Sequence, residues 1–283
     1  MVERIVLRRT VQWGKNSPSG MNPALPPQHC NQLVLYRNTF KSDIACIWRK
    51  LYGSNQFVDV GVNVGQTMVE ILSLFTDLSY YGFEPNVTAF SIAQALADAN
   101  NLKADLFPWA CSDQAKPCEL YASSPLDSSA TSCPEIRPNT YANTVPSWIA
   151  SYPLDLTLGS ALNHGFMIKI DVEGSEYQVL KGAKSLMSEK RPLILCEVLH
   201  AHRESEIGQN NWNKIQIFNL LNDLQYSIYQ VNLDPKDDEK FVGLSKVQTF
   251  QMNQLWRESP NTCDFLFVPK ELPLATISKH SLA

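Results

Sequence analysis

The chain has 283 residues, 44% of them hydrophobic and 18% charged, with a formal net charge of -4. This length suits one large α/β domain with additions or two small domains, and the composition is that of a soluble globule rather than a disordered chain. The acidic balance excludes phosphate-backbone binding as the main activity, since that needs a basic face, so no nucleic-acid partner is expected.

In chain order, residues 1–32 read as an N-terminal arm, with turn and linker chemistry at Ser17-Pro18-Ser19-Gly20 and Pro23-Ala24-Leu25-Pro26-Pro27. A short strand and then a helix are expected over 33–51. Phe57, Val58 and Val60 make a buried strand that breaks at Gly61 and Gly65 into a helix carrying Met68, Val69, Ile71, Leu72 and Phe75 on one face. Further strands are expected over 80–84, 105–111, 166–172, 193–199, 226–231 and 265–268. Helices are expected over 87–100 and 176–187, and through Ile215, Phe218, Leu221 and Leu224. Repeated strand–helix units imply a Rossmann-like sheet, mainly parallel with an antiparallel edge strand and helices on both faces. The domain is expected over 33–270, followed by a tail over 271–283. Residues 112–160 interrupt the rhythm with Ser, Pro, Asp and Asn, and read as a lid-like insertion beside the binding edge.

Seven cysteines without a Cys-x-x-Cys pair argue for reduced thiols and against structural zinc. No apolar run reaches the roughly 20 residues of a membrane helix, and the arginine-bearing N-terminus lacks the apolar core of a secretory signal. A cytoplasmic protein without a membrane span is the expectation, and a homo-oligomer is compatible with it.

The run from Phe57 to Thr67 is the densest signal. A strand, a glycine-punctuated turn and a helix form a nucleotide-cofactor cradle. The spacing Gly61-x-x-x-Gly65 is neither the dinucleotide fingerprint nor the phosphate loop. Asp59 just before the turn would repel a phosphate and suits a cationic amino-acid group. Glu84, about 20 residues on, suits a ribose hydroxyl pair. Together they describe S-adenosylmethionine. A second cluster, Lys169-Ile170-Asp171-Val172-Glu173-Gly174-Ser175-Glu176, crowds carboxylates at a strand's carboxyl end, and Glu197 and His200 close the next strand. Histidine is the side chain best suited to remove a proton near neutral pH, and a carboxylate can orient it. Asp171, Glu197 and His200 are therefore the candidate catalytic residues, and also candidate ligands for a divalent cation such as Mg.

These segments, with Leu180-Lys181-Gly182-Ala183 and a terminal strand at Phe265-Leu266-Phe267-Val268-Pro269, resemble the FkbM family of methyltransferases. The resemblance runs from about residue 33 to residue 270 and implies a class I S-adenosylmethionine fold with methyl transfer to oxygen. It implies a sugar hydroxyl or a natural-product scaffold as acceptor, and S-adenosylhomocysteine as product. Carried over residue by residue, it adds Trp109 and Ala110 as the adenine frame. The candidate cofactor-binding set is then Asp59, Gly61, Asn63, Gly65, Gln66, Thr67, Glu84, Pro85, Trp109, Ala110 and Asp171. The alternatives are a methyltransferase of a peptide or another small molecule, and a nicotinamide-dependent oxidoreductase. Against the latter stand the glycine spacing and the lack of a Tyr-x-x-x-Lys pair.

Overall fold

A computed structural model describes residues 39–136, 138–141, 143–258 and 262–272. The arm expected over 1–32, the short strand expected before residue 39, and the tail beyond residue 272 lie outside the described residues.

Helix α1 (Phe40–Tyr52) starts where the Thr39 hydroxyl accepts the Lys41 N–H at 3.2 Å and stops at Gly53, whose φ is 61°. Strand β1 (Gln56–Val60), α2 (Gln66–Leu74), β2 (Ser79–Phe83), α3 (Val87–Asn100) and β3 (Ala104–Phe107) follow. An inserted region carries β4 (Ala110–Cys111), β5 (Lys116–Leu120), α4 (Pro138–Tyr141), β6 (Ser147–Tyr152) and α5 (Leu154–Leu158). The main sheet resumes with β7 (Met167–Ile170), α6 (Glu176–Lys181), α7 (Lys184–Lys190), β8 (Leu193–Glu197) and α8 (Ile207–Asp223). It ends with β9 (Tyr226–Asp234), β10 (Asp237–Val247) and β11 (Asp264–Pro269).

The eight strands of the main sheet lie in the order β10-β9-β11-β8-β7-β1-β2-β3. Strands β3, β2, β1, β7 and β8 are parallel. β11 runs antiparallel between β8 and β9, and β10 runs antiparallel along β9. Chain order reverses between β1 and β7, which opens a crevice at their carboxyl ends.

Each face of the sheet has its own core. Ile44, Trp48, Met68 and Ile71 of α1 and α2 cover Phe57, Tyr80, Met167 and Leu195. Val179, Met187, Ile217 and Leu221 of α6, α7 and α8 cover Val58, Val60, Ile168 and Ile194. Both faces being covered explains why the central strands read as unbroken apolar runs.

Three elements differ from the sequence expectation. The strand expected over 105–111 is two strands, β3 in the main sheet and β4 pairing with β6 in a second sheet; Pro108, which has no N–H to offer a ladder, lies in the break. The helix expected over 176–187 divides at Gly182, where a Cβ would meet the carbonyl oxygen of Ser112 at 2.0 Å. The inserted region, expected as a lid-like insertion without regular strands or helices, holds a three-stranded sheet in the order β4-β6-β5. Its polar composition hides strands whose buried groups are hydrogen-bonded, as at Ser151, whose hydroxyl donates toward Gln114 O at 3.0 Å and Lys116 O at 2.9 Å.

No described helix is long and apolar enough to cross a membrane. The six described cysteines are free thiols.

Candidate active site

The turn after β1 is fixed by its neighbours. The N–H groups of Gly61 and Val62 donate to the Phe83 carbonyl at 3.0 and 3.1 Å, and the Asp171 N–H donates to the Val60 carbonyl at 3.0 Å. Gly61 has φ 88°, and a Cβ there would sit 1.9 Å from the Asp171 carbonyl oxygen. Glycine is required because the turns leaving β1 and β7 touch. Gly65 starts α2 in the left-handed region at φ 97°. Gln66 is exposed and Thr67 buried, and neither lines the crevice.

The crevice is a cavity with about 960 Å³ of empty space, part of it open to solvent. Gly61, Asn63, Glu84, Pro85, Trp109 and Ala110 form one side of its wall. Glu84 accepts the Asn63 N–H on one oxygen and the Asn86 N–H on the other, each at 2.8 Å. Burial raises its carboxyl, against the lowering effect of those two donors. Trp109 packs against Phe107 at 4.9 Å and Tyr152 at 5.5 Å between ring centres. Its indole N–H is buried and has no acceptor among the described residues.

Asp59 lies elsewhere. It is fully buried, accepts a hydrogen bond from the Tyr80 hydroxyl, and has Lys169 Nζ 3.1 Å from one oxygen. It does not line the cavity. Strand alternation turns it to the face shared with Phe57, Tyr80 and Met167, so its charge is met by Lys169 inside the protein.

The other wall comes from β7 and β8. Asp171, Glu173, Ser175 and Glu197 line it. Burial alone would raise the Asp171 carboxyl, but Lys169, Lys41 and a hydrogen bond from Glu197 bring it down to about 2. Glu197 goes the other way and stands well above the usual carboxylate range, through burial and repulsion from Asp171, Asp264 and Glu173. The two carboxyls are thus driven apart, Asp171 toward the ionised form and Glu197 toward the protonated one. Asp264, opposite Glu197 on β11, is raised to about 6, first by burial.

Asp171, Glu173 and Glu197 each offer an oxygen, all within 4.8 Å of one another. His200 is not in this group. It is 3% exposed, with Nδ1 2.9 Å from Lys214 Nζ and Nε2 2.8 Å from Thr262 Oγ1. Burial and then the Lys214 charge lower it to about 4. The structure thus brings Asp171 and Glu197 together and sets His200 apart, outside the cavity lining.

Sequence reasoning did not single out Glu173 or Ser175 as wall residues, nor Leu120, Ser128 and Ser132 of the inserted region. Ser132 Oγ lies 2.8 Å from Ser175 Oγ and ties the insertion to the start of α6. Asp127 accepts from the Ser123 N–H and hydroxyl and the Ser129 N–H, which shapes the loop behind this wall. The signal available in the sequence was the position of the insertion, directly after the segment that carries Trp109.

Residues 59–228 match the family model described as the methyltransferase FkbM domain. No curated protein matches the chain. Among solved structures, a methyltransferase FkbM from Methylobacillus flagellatus KT shares 17% identity, with a TM-score of 0.45 over 78% of this chain and 47% of that one. The chain thus spans about half the length of that protein. An O-methyltransferase from Bacillus cereus, solved in complex with SAH, shares 13% identity, with a TM-score of 0.44 over 87% of this chain and 82% of its own. The precorrin-6y C5,15-methyltransferase from Geobacter metallireducens GS-15 shares 10%, with a TM-score of 0.39 over 80% and 87%. At these scores the weight rests on the family model, which covers more than half of the sequence, and on a doubly wound sheet with β11 antiparallel near one edge, a class I methyltransferase arrangement. The chain belongs to the FkbM methyltransferase family.

Proposed function

We propose that the protein transfers a methyl group from S-adenosylmethionine to a hydroxyl oxygen of a sugar-like acceptor. The carrying observation is one cavity at the strand ends lined both by Glu84 with Trp109 and by the oppositely shifted carboxyls of Asp171 and Glu197. Glu84 is held by two backbone donors at the end of β2, which supports its reading as the ribose acceptor, and Trp109 and Ala110 line the same cavity. S-adenosylmethionine would supply a methyl group already activated on sulfur.

The protein's own task is then alignment and removal of a proton. As the new carbon–oxygen bond forms and the carbon–sulfur bond breaks, the acceptor oxygen gains positive charge and its proton becomes strongly acidic. A carboxylate at about 2 is a poor base toward a free alcohol but adequate toward that oxygen, so Asp171 takes the proton late. Alignment by the cavity walls supplies most of the rate. Both ring nitrogens of His200 are engaged, so the base assignment passes to the carboxyl pair.

The oxygens of Asp171, Glu173 and Glu197 suit a hard divalent ion by donor chemistry, and such an ion would polarise the acceptor hydroxyl. Lys169 faces Asp171 as well as Asp59, and no step of the proposed reaction is routed through an ion. The polar wall contributed by Ser128, Ser132 and Ser175 favours a polyhydroxylated acceptor over a lipid-like one.

The test combines calorimetric titration with S-adenosylhomocysteine and mass-detected methyl transfer from S-adenosylmethionine to methyl glycosides, aliphatic alcohols and short peptides. Saturable binding and methylation of glycosides are expected. No binding heat overturns the cofactor assignment, and methylation confined to peptide nitrogen overturns the acceptor assignment.

A further inference from the structure

Lys169 stands in the middle of β7, among Met167, Ile168 and Ile170, and is 3% exposed. An ammonium group in the interior of a parallel sheet is strongly disfavoured unless its protons are taken. Here one proton goes to a backbone carbonyl and the charge is faced by two carboxylates. Lys169 Nζ donates to the Gly61 carbonyl at 2.7 Å and lies 3.1 Å from Asp59 Oδ1 and 3.4 Å from Asp171 Oδ2. A purely structural ion pair would need only Asp59, which sits directly opposite Lys169 in the register of β1 and β7.

The other two contacts reach into the site. Gly61 opens the turn whose next residues carry the Asn63 N–H to Glu84, and Asp171 lines the cavity from the neighbouring turn after β7. One side chain therefore touches both the cofactor turn and the acid that faces the acceptor, while itself lining neither wall.

We propose that Lys169 is a positioning residue for methyl transfer, setting the cofactor turn through the Gly61 carbonyl and aligning Asp171 from behind. This rests on the cavity being an S-adenosylmethionine site. Removing the ammonium takes a donor from the Gly61 carbonyl and leaves that peptide held through the Val62 N–H to the Phe83 carbonyl, which loosens the turn that carries the Asn63 and Glu84 contact before any ligand is present. The Asp59 and Tyr80 pair takes no part in that step, so its effect on stability is separable.

The experiment compares wild type with Lys169→Arg, Asp59→Asn and the double variant Asp59→Asn with Lys169→Met, which leaves no buried carboxylate unpaired at position 59. Heat unfolding and calorimetric affinity for S-adenosylhomocysteine are measured on each. The double variant is expected to unfold near the wild-type temperature and yet bind S-adenosylhomocysteine at least tenfold more weakly. Asp59→Asn alone should keep affinity within about threefold, and Lys169→Arg should restore part of what the double variant loses. A folded double variant with wild-type affinity overturns the proposal, as does equal loss of affinity in Asp59→Asn alone. A double variant that does not fold passes the decision to Lys169→Arg and Asp59→Asn: wild-type affinity in the arginine variant, or parallel loss in both, overturns it. A wild-type chain that does not bind S-adenosylhomocysteine overturns the cofactor reading itself, which separates the two failures.

Discussion

One oxygen of Glu84 accepts the backbone N–H of Asn63 at 2.8 Å, joining the end of β2 to the turn that leaves β1. The other oxygen accepts from Asn86 at the start of α3, so a single carboxylate organises three elements around the cofactor side of the cavity. Replacing it with Gln puts an amide donor against one of these N–H groups. The expected result for Glu84→Gln is a ~10- to 100-fold loss of S-adenosylhomocysteine affinity, in line with the ~1–3 kcal/mol attached to an unsatisfied buried group. Calorimetry decides it, and unchanged affinity would remove Glu84 from the cofactor site.

Asp171 and His200 should separate cleanly. Asp171→Asn removes the carboxylate proposed to take the proton, and turnover on any hydroxyl acceptor should fall by ~10²- to 10⁴-fold. His200→Asn removes a partner of the buried Lys214 and should lower the unfolding temperature while leaving kcat within a few-fold. Steady-state kinetics beside a thermal melt gives both readings. A large kcat loss in the folded His200 variant would return the base role to histidine.

That histidine shows where sequence reasoning runs out. Position alone put His200 at the end of a strand beside Glu197, but its partners Thr262 and Lys214 are 62 and 14 residues away, and only the packed chain brings them together. The glycine turn, Glu84 and Asp171 were legible because each is tied to a strand end, and strand ends follow from apolar runs. Asp59 is placed differently: it lies inside the run, on the alternating face that also carries Tyr80 and Lys169. A lone lysine in Met167-Ile168-Lys169-Ile170 and a lone aspartate in Phe57-Val58-Asp59-Val60 were the available clue that two neighbouring strands pair charge inside the sheet. The second sheet stayed hidden because its strands satisfy polar groups rather than bury an apolar face.

Chelation tests whether the three carboxylates act with an ion. Lys169 Nζ is 3.4 Å from Asp171 Oδ2, and burial and its acidic neighbours raise the Glu197 carboxyl well above its ordinary value. Both effects lower the negative charge an ion would meet there. Methyl transfer to a glycoside should continue in chelator-treated, metal-free buffer at no less than half the untreated rate. Abolition there, with recovery on adding Mg, would show that Asp171, Glu173 and Glu197 work as ligands.

Glu176 provides a pH test independent of acceptor and cofactor. It is fully buried, accepts the Gly174 N–H at 2.8 Å and the Asn213 side-chain amide at 3.2 Å, and burial raises its carboxyl to about 7. The unfolded chain holds this group near its ordinary value of 4.5, so the folded state binds the extra proton between the two values. Stability from this group is therefore greatest at low pH, declines as pH rises from about 4.5 to about 7, and is constant above that range. Glu176→Gln mimics the protonated form, and its amide can serve the Asn213 oxygen that has no described partner. The variant should match wild type near pH 5 and exceed it at pH 8 by on the order of 1–3 kcal/mol. Denaturant titrations at the two pH values read the difference directly. A constant offset between the two proteins would show that Glu176 does not titrate with folding, and that the Gly174 turn beside the cavity is held by a permanently ionised carboxylate.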